Sequence, residues 1–163
     1  MSETSIQVSL HQQHDYRFDI VFGGDVPIVT SDEPAPLGTG LGPSPVQLLS
    51  AAVGNCLSDS LLFALRKFKQ APEPIHCHVT SEVGRNADNR LRVLRIQAVL
   101  TLGVPAESLA HLDRVLDTFE TYCTVTQSVA LGIPVTIQVL DSQGKTLQSV
   151  SYTHLTLPTT SRV

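Results

Sequence analysis

The chain predicts an α+β fold, with antiparallel sheets around one long central helix, and three observations carry that expectation. Short runs of alternating apolar and polar residues occupy positions 5 to 29, and one apolar stretch of helical length follows from Pro45. Strand alternation then returns, interrupted by a second helical period, and a last alternating run ends near Asp141.

At the N-terminus, Ser5 to Leu10 places Ile6, Val8 and Leu10 on one face, Tyr16 to Phe22 alternates again, and Gly23-Gly24-Asp25 before Pro27-Ile28-Val29 is a hairpin signal. About three antiparallel strands are expected here. From Ser31 to Pro45 come four prolines and three glycines, which is loop chemistry. A loop of that length is more often functional than idle.

The central helix is expected from about Pro45 to about Lys69, capped by Ser44 and with Pro45 in the first turn, where its missing N–H costs nothing. Leu48, Leu49, Ala51, Ala52, Val53, Cys56, Leu57, Leu61, Leu62, Phe63, Ala64 and Leu65 make it apolar on nearly every side. Such a helix belongs in the middle of something. Arg66, Lys67 and Lys69 suit its C-terminal end, and Pro72 and Pro74 stop it. Two strands follow, about Ile75 to Val83 and Arg90 to Leu102, with Leu94, Ile96, Ala98, Leu100 and Leu102 on one face. A second helix is expected from about Pro105 to Tyr122, where Leu109, Leu112, Leu116, Phe119 and Cys123 recur at three- and four-residue spacing and so point Cys123 inward. A short helical turn from Gln127 to Leu131 and a last strand with Val135, Ile137 and Val139 on one face complete the pattern.

With 163 residues, 42% of them apolar, the chain suits one domain over residues 1–148. Residues 149–163 hold four threonines and a single charged side chain, without helical period; they read as a non-native or disordered tail that packs little. A net charge of −4 is poor for holding a phosphate backbone, so no nucleic acid is expected. No apolar run of about 18 residues escapes charge or turn residues, so no membrane is expected either. Three scattered cysteines and no secretory leader favour a reducing cytoplasm.

Two of those cysteines stand in settings that point to one chemistry. Cys56 lies midway along the long helix, and Cys123 where the second helix ends, in Tyr122-Cys123-Thr124-Val125-Thr126-Gln127. In such a thiol pair one sulfur attacks a peroxide O–O bond and becomes a sulfenic acid, and the other condenses with it to a disulfide. Competing sites are weaker. His76-Cys77-His78 puts its two imidazoles on one strand face and its thiol on the other, so no metal is expected there. His111 is the nearest candidate base for a Cys–His hydrolase, twelve residues from Cys123.

At the two cysteine segments the chain resembles the OsmC/Ohr family of bacterial organic hydroperoxide reductases, as a divergent member. That family's central helix typically opens Asn-Pro-Glu-Gln-Leu and reaches its reactive cysteine ten residues beyond the Glu; here Ser44-Pro45-Val46-Gln47-Leu48 leads to Cys56. Its second cysteine typically stands in Cys-Pro-x-Ser-Gln, and here the stretch is Cys123-Thr124-Val125-Thr126-Gln127. The Gly- and Pro-rich approach to the helix and the restart at Ile133-Pro134-Val135 are similar too, so the resemblance covers roughly residues 5 to 142. It implies an intertwined homodimer with interfacial active sites and a thiol-dependent peroxidase acting on organic or lipid hydroperoxides, with Cys56 attacking and Cys123 resolving. No prosthetic cofactor is implied. The disulfide is reopened by a dithiol reductant, such as a lipoylated protein.

Three departures bear on activity. Val46 stands where the family places its Glu and cannot accept a hydrogen bond. Gln47 is the nearest polar substitute, but on a regular helix it lies about 180° from Cys56, whereas Val46 lies about 80° away. Arg17, the only arginine before the helix, is the candidate activating cation by elimination. Asp59, three residues beyond Cys56, opposes negative charge on the sulfur. The alternative function is a non-catalytic binding protein that keeps an interfacial pocket for an apolar acyl or aromatic ligand.

Overall fold

The structure is a computed structural model describing residues 3–152. It is α+β, and it divides between Leu49 and Ser50 into two compact units, where the sequence suggested one domain over 1–148.

The first unit is built on a three-stranded antiparallel sheet, β1 (Ser9–His14), β2 (Arg17–Val21) and β3 (Val29–Ser31), in that order. The first strand lies later than Ser5–Leu10. The tight turn at Asp15, whose φ of 48° a short polar side chain tolerates, fixes the β1–β2 register from His14↔Arg17 to Ser9↔Val21. Ile6 is left outside the strand, 87% exposed. After β3 the Gly- and Pro-rich segment folds back on itself. A Cβ on Gly38 would meet the Glu33 carbonyl and the Asp32 carboxylate, and one on Gly42 would meet the Thr30 carbonyl, so these positions exclude side chains.

Helix α1 spans Pro45–Lys67. Its start is a capping box: the Gln47 N–H donates to Ser44 Oγ (3.3 Å), while the Ser44 N–H donates to Gln47 Oε1 (2.8 Å). Its end is a Schellman motif, with Lys69 left-handed and the Gln70 and Lys69 N–H groups donating to the Leu65 and Arg66 carbonyls. Only one face is buried, carrying Val53, Gly54, Leu57, Leu61 and Leu65. Asn55, Asp59 and Phe63 are exposed, so the helix is not covered on every side. Among the described residues α1 alone is long and apolar enough to cross a bilayer, because Asp59 is its only charge before the last turn.

The second unit holds a four-stranded sheet, β4 (His76–Arg85), β5 (Leu91–Thr101), β6 (Val135–Leu140) and β7 (Thr146–Tyr152). The β5–β6 pairing is parallel and the other two are antiparallel. On its covered face lie Ile96, Ala98, Leu100 and Leu102 of β5 and its extension, with Val135, Ile137 and Val139 of β6, all buried. Leu94 falls at the bulge opposite Glu82/Val83 and is 41% exposed, so it leaves the face it was expected to share.

Helix α1 is stitched to β4 by small residues. Ser50 Oγ lies 2.6 Å from Ser81 Oγ, Gly54 packs on Val79 and Cys77, and the Ser58 hydroxyl meets the Cys77 thiol. Four helical residues rise about 6 Å and two strand residues about 6.6 Å, so the steps stay in register for three contacts.

The helix expected from Pro105 to Tyr122 is broken. It becomes a 3-10 turn (Ala106–Ser108), α2 (Leu112–Leu116) and a second 3-10 turn (Phe119–Tyr122), before α3 (Thr124–Val129). His111 is left-handed at φ 60°, and the hydroxyls of Thr118 and Thr121 donate to the Arg114 and Thr118 carbonyls, competing with helical bonding. The apolar period survives the break, since Leu116, Phe119 and Cys123 remain buried. Residues 149–152 belong to β7, so the expected tail boundary at Ser149 falls inside a strand. Val135↔Tyr152 and Ile137↔Val150 pair, and the Tyr152 hydroxyl donates to Glu120 Oε1 (2.9 Å). The rest of that tail, 153–163, lies outside the described residues.

Candidate thiol site

Cys56 sits at the start of the fourth turn of α1, on the flank of its buried face, and is half-buried. Cys123 is fully buried at the start of α3, its N–H donating to the Glu120 carbonyl (3.1 Å). The structure places these two sequence-predicted residues near each other, close enough for the Cys56 thiol to act on the titration of Cys123. Both are free thiols, and Cys123 Sγ also lies 3.0 Å from Thr126 Oγ1, as donor.

Burial pushes the Cys123 thiol above its ordinary range, the neighbouring Cys56 thiol adds to the rise, and hydrogen bonding to Thr126 offsets part of it. Cys123 therefore stays protonated at neutral pH, and Cys56 is the more accessible of the two thiols. The third cysteine is different. Cys77 lies on β4 against Gly54 and Ser58, and burial raises its pKa while the Ser58 hydroxyl partly offsets this. His76 and His78 take the opposite, exposed side of that strand.

The helpers nominated from sequence have other partners. The Gln47 carbonyl oxygen is held in the capping box. Asp59 accepts a hydrogen bond from Asn55 Nδ2 (2.8 Å), one turn earlier on α1. Arg17 stands on β2 in the first unit, its guanidinium donating to Thr39 Oγ1 (2.8 Å) with Nε 3.7 Å from Asp32. Asp32 is the hub of that loop. It accepts bonds from the Thr39 hydroxyl and from the Thr39 and Leu41 N–H groups, and these with Arg17 hold its pKa low against burial.

Sequence reading did not assign roles to Thr126, Glu120 or Tyr152. Thr126, fully buried, fixes the Cys123 thiol, and its spacing of three from the cysteine was the available signal. Glu120, 6% exposed, anchors the segment before Cys123: its carbonyl also accepts from Gln127 Nε2 (3.1 Å), and its carboxylate holds Tyr152. Burial and that carboxylate push the Tyr152 pKa up.

The sequence profile of the OsmC-like protein family matches residues 38–138, a span that contains both cysteines. Solved structures share the fold at low identity. An OsmC-like protein from Mycoplasma pneumoniae superposes with a TM-score of 0.71 at 12% identity, covering 86% of this chain and 99% of that one. An organic hydroperoxide resistance protein OsmC from Legionella pneumophila gives 0.64 at 12%, covering 87% and 99%. An organic hydroperoxide resistance protein from Elizabethkingia anophelis gives 0.65 at 13%, covering 85% and 98%. No curated protein matches.

Proposed function

The chain belongs to the OsmC-like protein family, and from that premise we propose that it is a thiol-dependent peroxidase which reduces organic hydroperoxides. The observation that carries this reading is the nearness of a half-buried Cys56 to a fully buried Cys123. In the first step the Cys56 thiolate attacks the distal oxygen of RO–OH. An S–O bond forms, the O–O bond breaks, and the departing alkoxide takes a proton to become the alcohol. In the second step the Cys123 sulfur attacks the sulfenic sulfur of Cys56. The S–S bond forms, the S–O bond breaks, and hydroxide leaves with the Cys123 proton as water. A dithiol then reopens the disulfide by two exchanges and is itself oxidised to a disulfide.

Thr126 holds the resolving sulfur in place between turnovers. With Val46 at the family's Glu position and Asp59 beside the attacking sulfur, turnover is slower than in a member carrying that carboxylate together with an arginine. Arg17 remains the candidate activating cation. The protein works in the cytoplasm as a homodimer. The second copy covers the side of α1 bearing Leu48, Ala52, Asn55 and Leu62, which its own chain leaves at least partly open.

Treatment with one equivalent of an organic hydroperoxide should give a Cys56–Cys123 disulfide, which requires the two Cα atoms to come within about 7 Å. Cys123→Ser should trap sulfenic acid on Cys56, and Cys77→Ser should change nothing. If mapping finds Cys56 reduced while Cys77 or Cys123 alone is oxidised, the peroxidase is excluded and the apolar-ligand binder replaces it. The absent Glu is the observation favouring that second reading, and pH-dependent alkylation of Cys56 separates the two.

A further inference from the structure

A cleft of about 470 Å³ lies in the second unit, between the C-terminal half of α1 and the α2 segment. That volume is in the range of small-molecule sites. Its walls are Phe63, Phe68, Val115 and Tyr122, and its two charged lining residues are Lys67 and Arg114. Phe63 is 69% exposed and Tyr122 70%, so two large aromatic rings stand open to solvent in one cleft. Among the described residues neither Lys67 nor Arg114 forms an ion pair, whereas the adjacent Arg66 is taken by Glu73. An apolar, aromatic trough holding two unneutralised cations complements one kind of molecule, an apolar chain or ring system with a single anionic head.

The cleft is also in line with the thiols. Phe63 and Lys67 follow Cys56 by seven and eleven residues, which places both within about 20° of it around α1 and about 10 and 16 Å along the axis. From the other side, Tyr122 is the residue before Cys123. The face of α1 assigned to the second copy is centred roughly 90° around the helix from this stripe, so the trough runs beside it.

We infer that this cleft is a carboxylate-anchoring site for a long-chain alkyl acid, with Lys67 and Arg114 taking the head group and the aromatic walls taking the chain toward Cys56. Binding of the acid stands on the cleft alone. Selectivity for an acid hydroperoxide as substrate rests in addition on the peroxidase reading.

Dodecanoate and dodecanol, each below its aggregation concentration, are titrated calorimetrically into the wild type and into the Lys67→Gln/Arg114→Gln double variant. The wild type should prefer the acid by about tenfold or more, and the variant should bind both about equally. An acid preference that is absent from the wild type, or that survives in the variant, overturns the site. So does a variant whose only change is its sedimentation, because a second copy of the chain would then be the occupant. In parallel, kcat/KM is compared for a long-chain fatty-acid hydroperoxide and its methyl ester, with tert-butyl hydroperoxide as a neutral reference. The acid should be favoured by the wild type alone, while reduction of tert-butyl hydroperoxide should be equal in both proteins. If tert-butyl hydroperoxide is not reduced at all but the dodecanoate preference holds, the carboxylate site stands and the peroxidase reading falls.

Discussion

Gly54→Ala tests the stitch that sets the position of Cys56. A Cβ at this point would lie 2.7 Å from Val79 Cγ2 and 3.3 Å from Cys77 Sγ. Ordinary carbon–carbon contact is about 3.5–4.0 Å, so the first approach is short by roughly 1 Å. Val79 is β-branched and stiff at χ1, and it sits between Cys77 and Ser81 in the middle of β4, so it cannot turn away cheaply. The helix must lift instead, at an overpacking cost of about 1–3 kcal/mol. Lifting also stretches the Ser50–Ser81 contact, worth about 0.5–1.5 kcal/mol. Against these stands the gain of about 1 kcal/mol that alanine brings to a helix interior. The net expectation is a loss of about 2 kcal/mol, read as a lower urea midpoint at unchanged slope. Cys56 lies two residues further on, so the yield of Cys56–Cys123 disulfide should fall with it. Adding Val79→Ala makes room for the new methyl group and should recover part of the loss, as a favourable coupling energy in a double-mutant cycle. A Gly54→Ala protein as stable as the wild type would refute the close-contact argument, since helix propensity alone would then have decided the outcome.

Asp141, fully buried at the β6–β7 turn, accepts bonds from the Ala106, Gln143 and Lys145 N–H groups, and these outweigh burial and hold its pKa below the ordinary 3.8. A depressed carboxyl stabilises the fold above its unfolded value and loses that contribution as pH falls through its folded one, so acid melting curves should flatten below pH 3.8 in Asp141→Asn. Tyr152→Phe leaves Glu120 Oε1 buried without its donor and should cost about 1–3 kcal/mol by chemical denaturation. Ala52→Arg, on an exposed position of α1, should dissociate the proposed dimer in sedimentation while leaving the circular dichroism of the chain unchanged.

What the sequence made legible were features with local causes. The ends of α1 follow from Ser44, Gln47 and the residues after Leu65, and the covered faces of β5 and β6 follow from strict alternation. The second helix was misread because period alone cannot register hydroxyls that bond to the preceding turn, as Thr118 and Thr121 do. The end of the chain was misread for the opposite reason. Thr146–Tyr152 has weak apolar content, and its place is set by pairing with the preceding strand β6 and by Tyr152 reaching Glu120, which is remote in sequence. Leu61, which read as one residue of an all-round apolar surface, is instead fully buried within its own chain. A charge there would unfold the unit whatever its oligomeric state, and Ala52 is the better probe of the proposed dimer.

The cysteine pair was legible as two positions, and its proposed division of labour came with the family resemblance. Spacing already turned Cys123 inward; what it did not give is the contrast in burial, Cys123 being fully covered and Cys56 only in part. The broken segment before α3 carries Cys123 into the core, where desolvation keeps its proton and Thr126 fixes its direction. Meanwhile the small-residue stitch to β4 uses the Ser50, Gly54 and Ser58 side of α1, and two residues further on, about 200° around the helix, Cys56 is left on the flank. Had Cys56 stood at position 57 it would be as buried as Cys123, since Leu57 is fully covered. Moving the thiol there, as Cys56→Ala with Leu57→Cys, should therefore abolish sulfenic acid formation in the Cys123→Ser background. If dimedone labelling at position 57 instead matched that at Cys56, accessibility would not be what selects the attacking sulfur, and proximity to Cys123 alone would have to explain it.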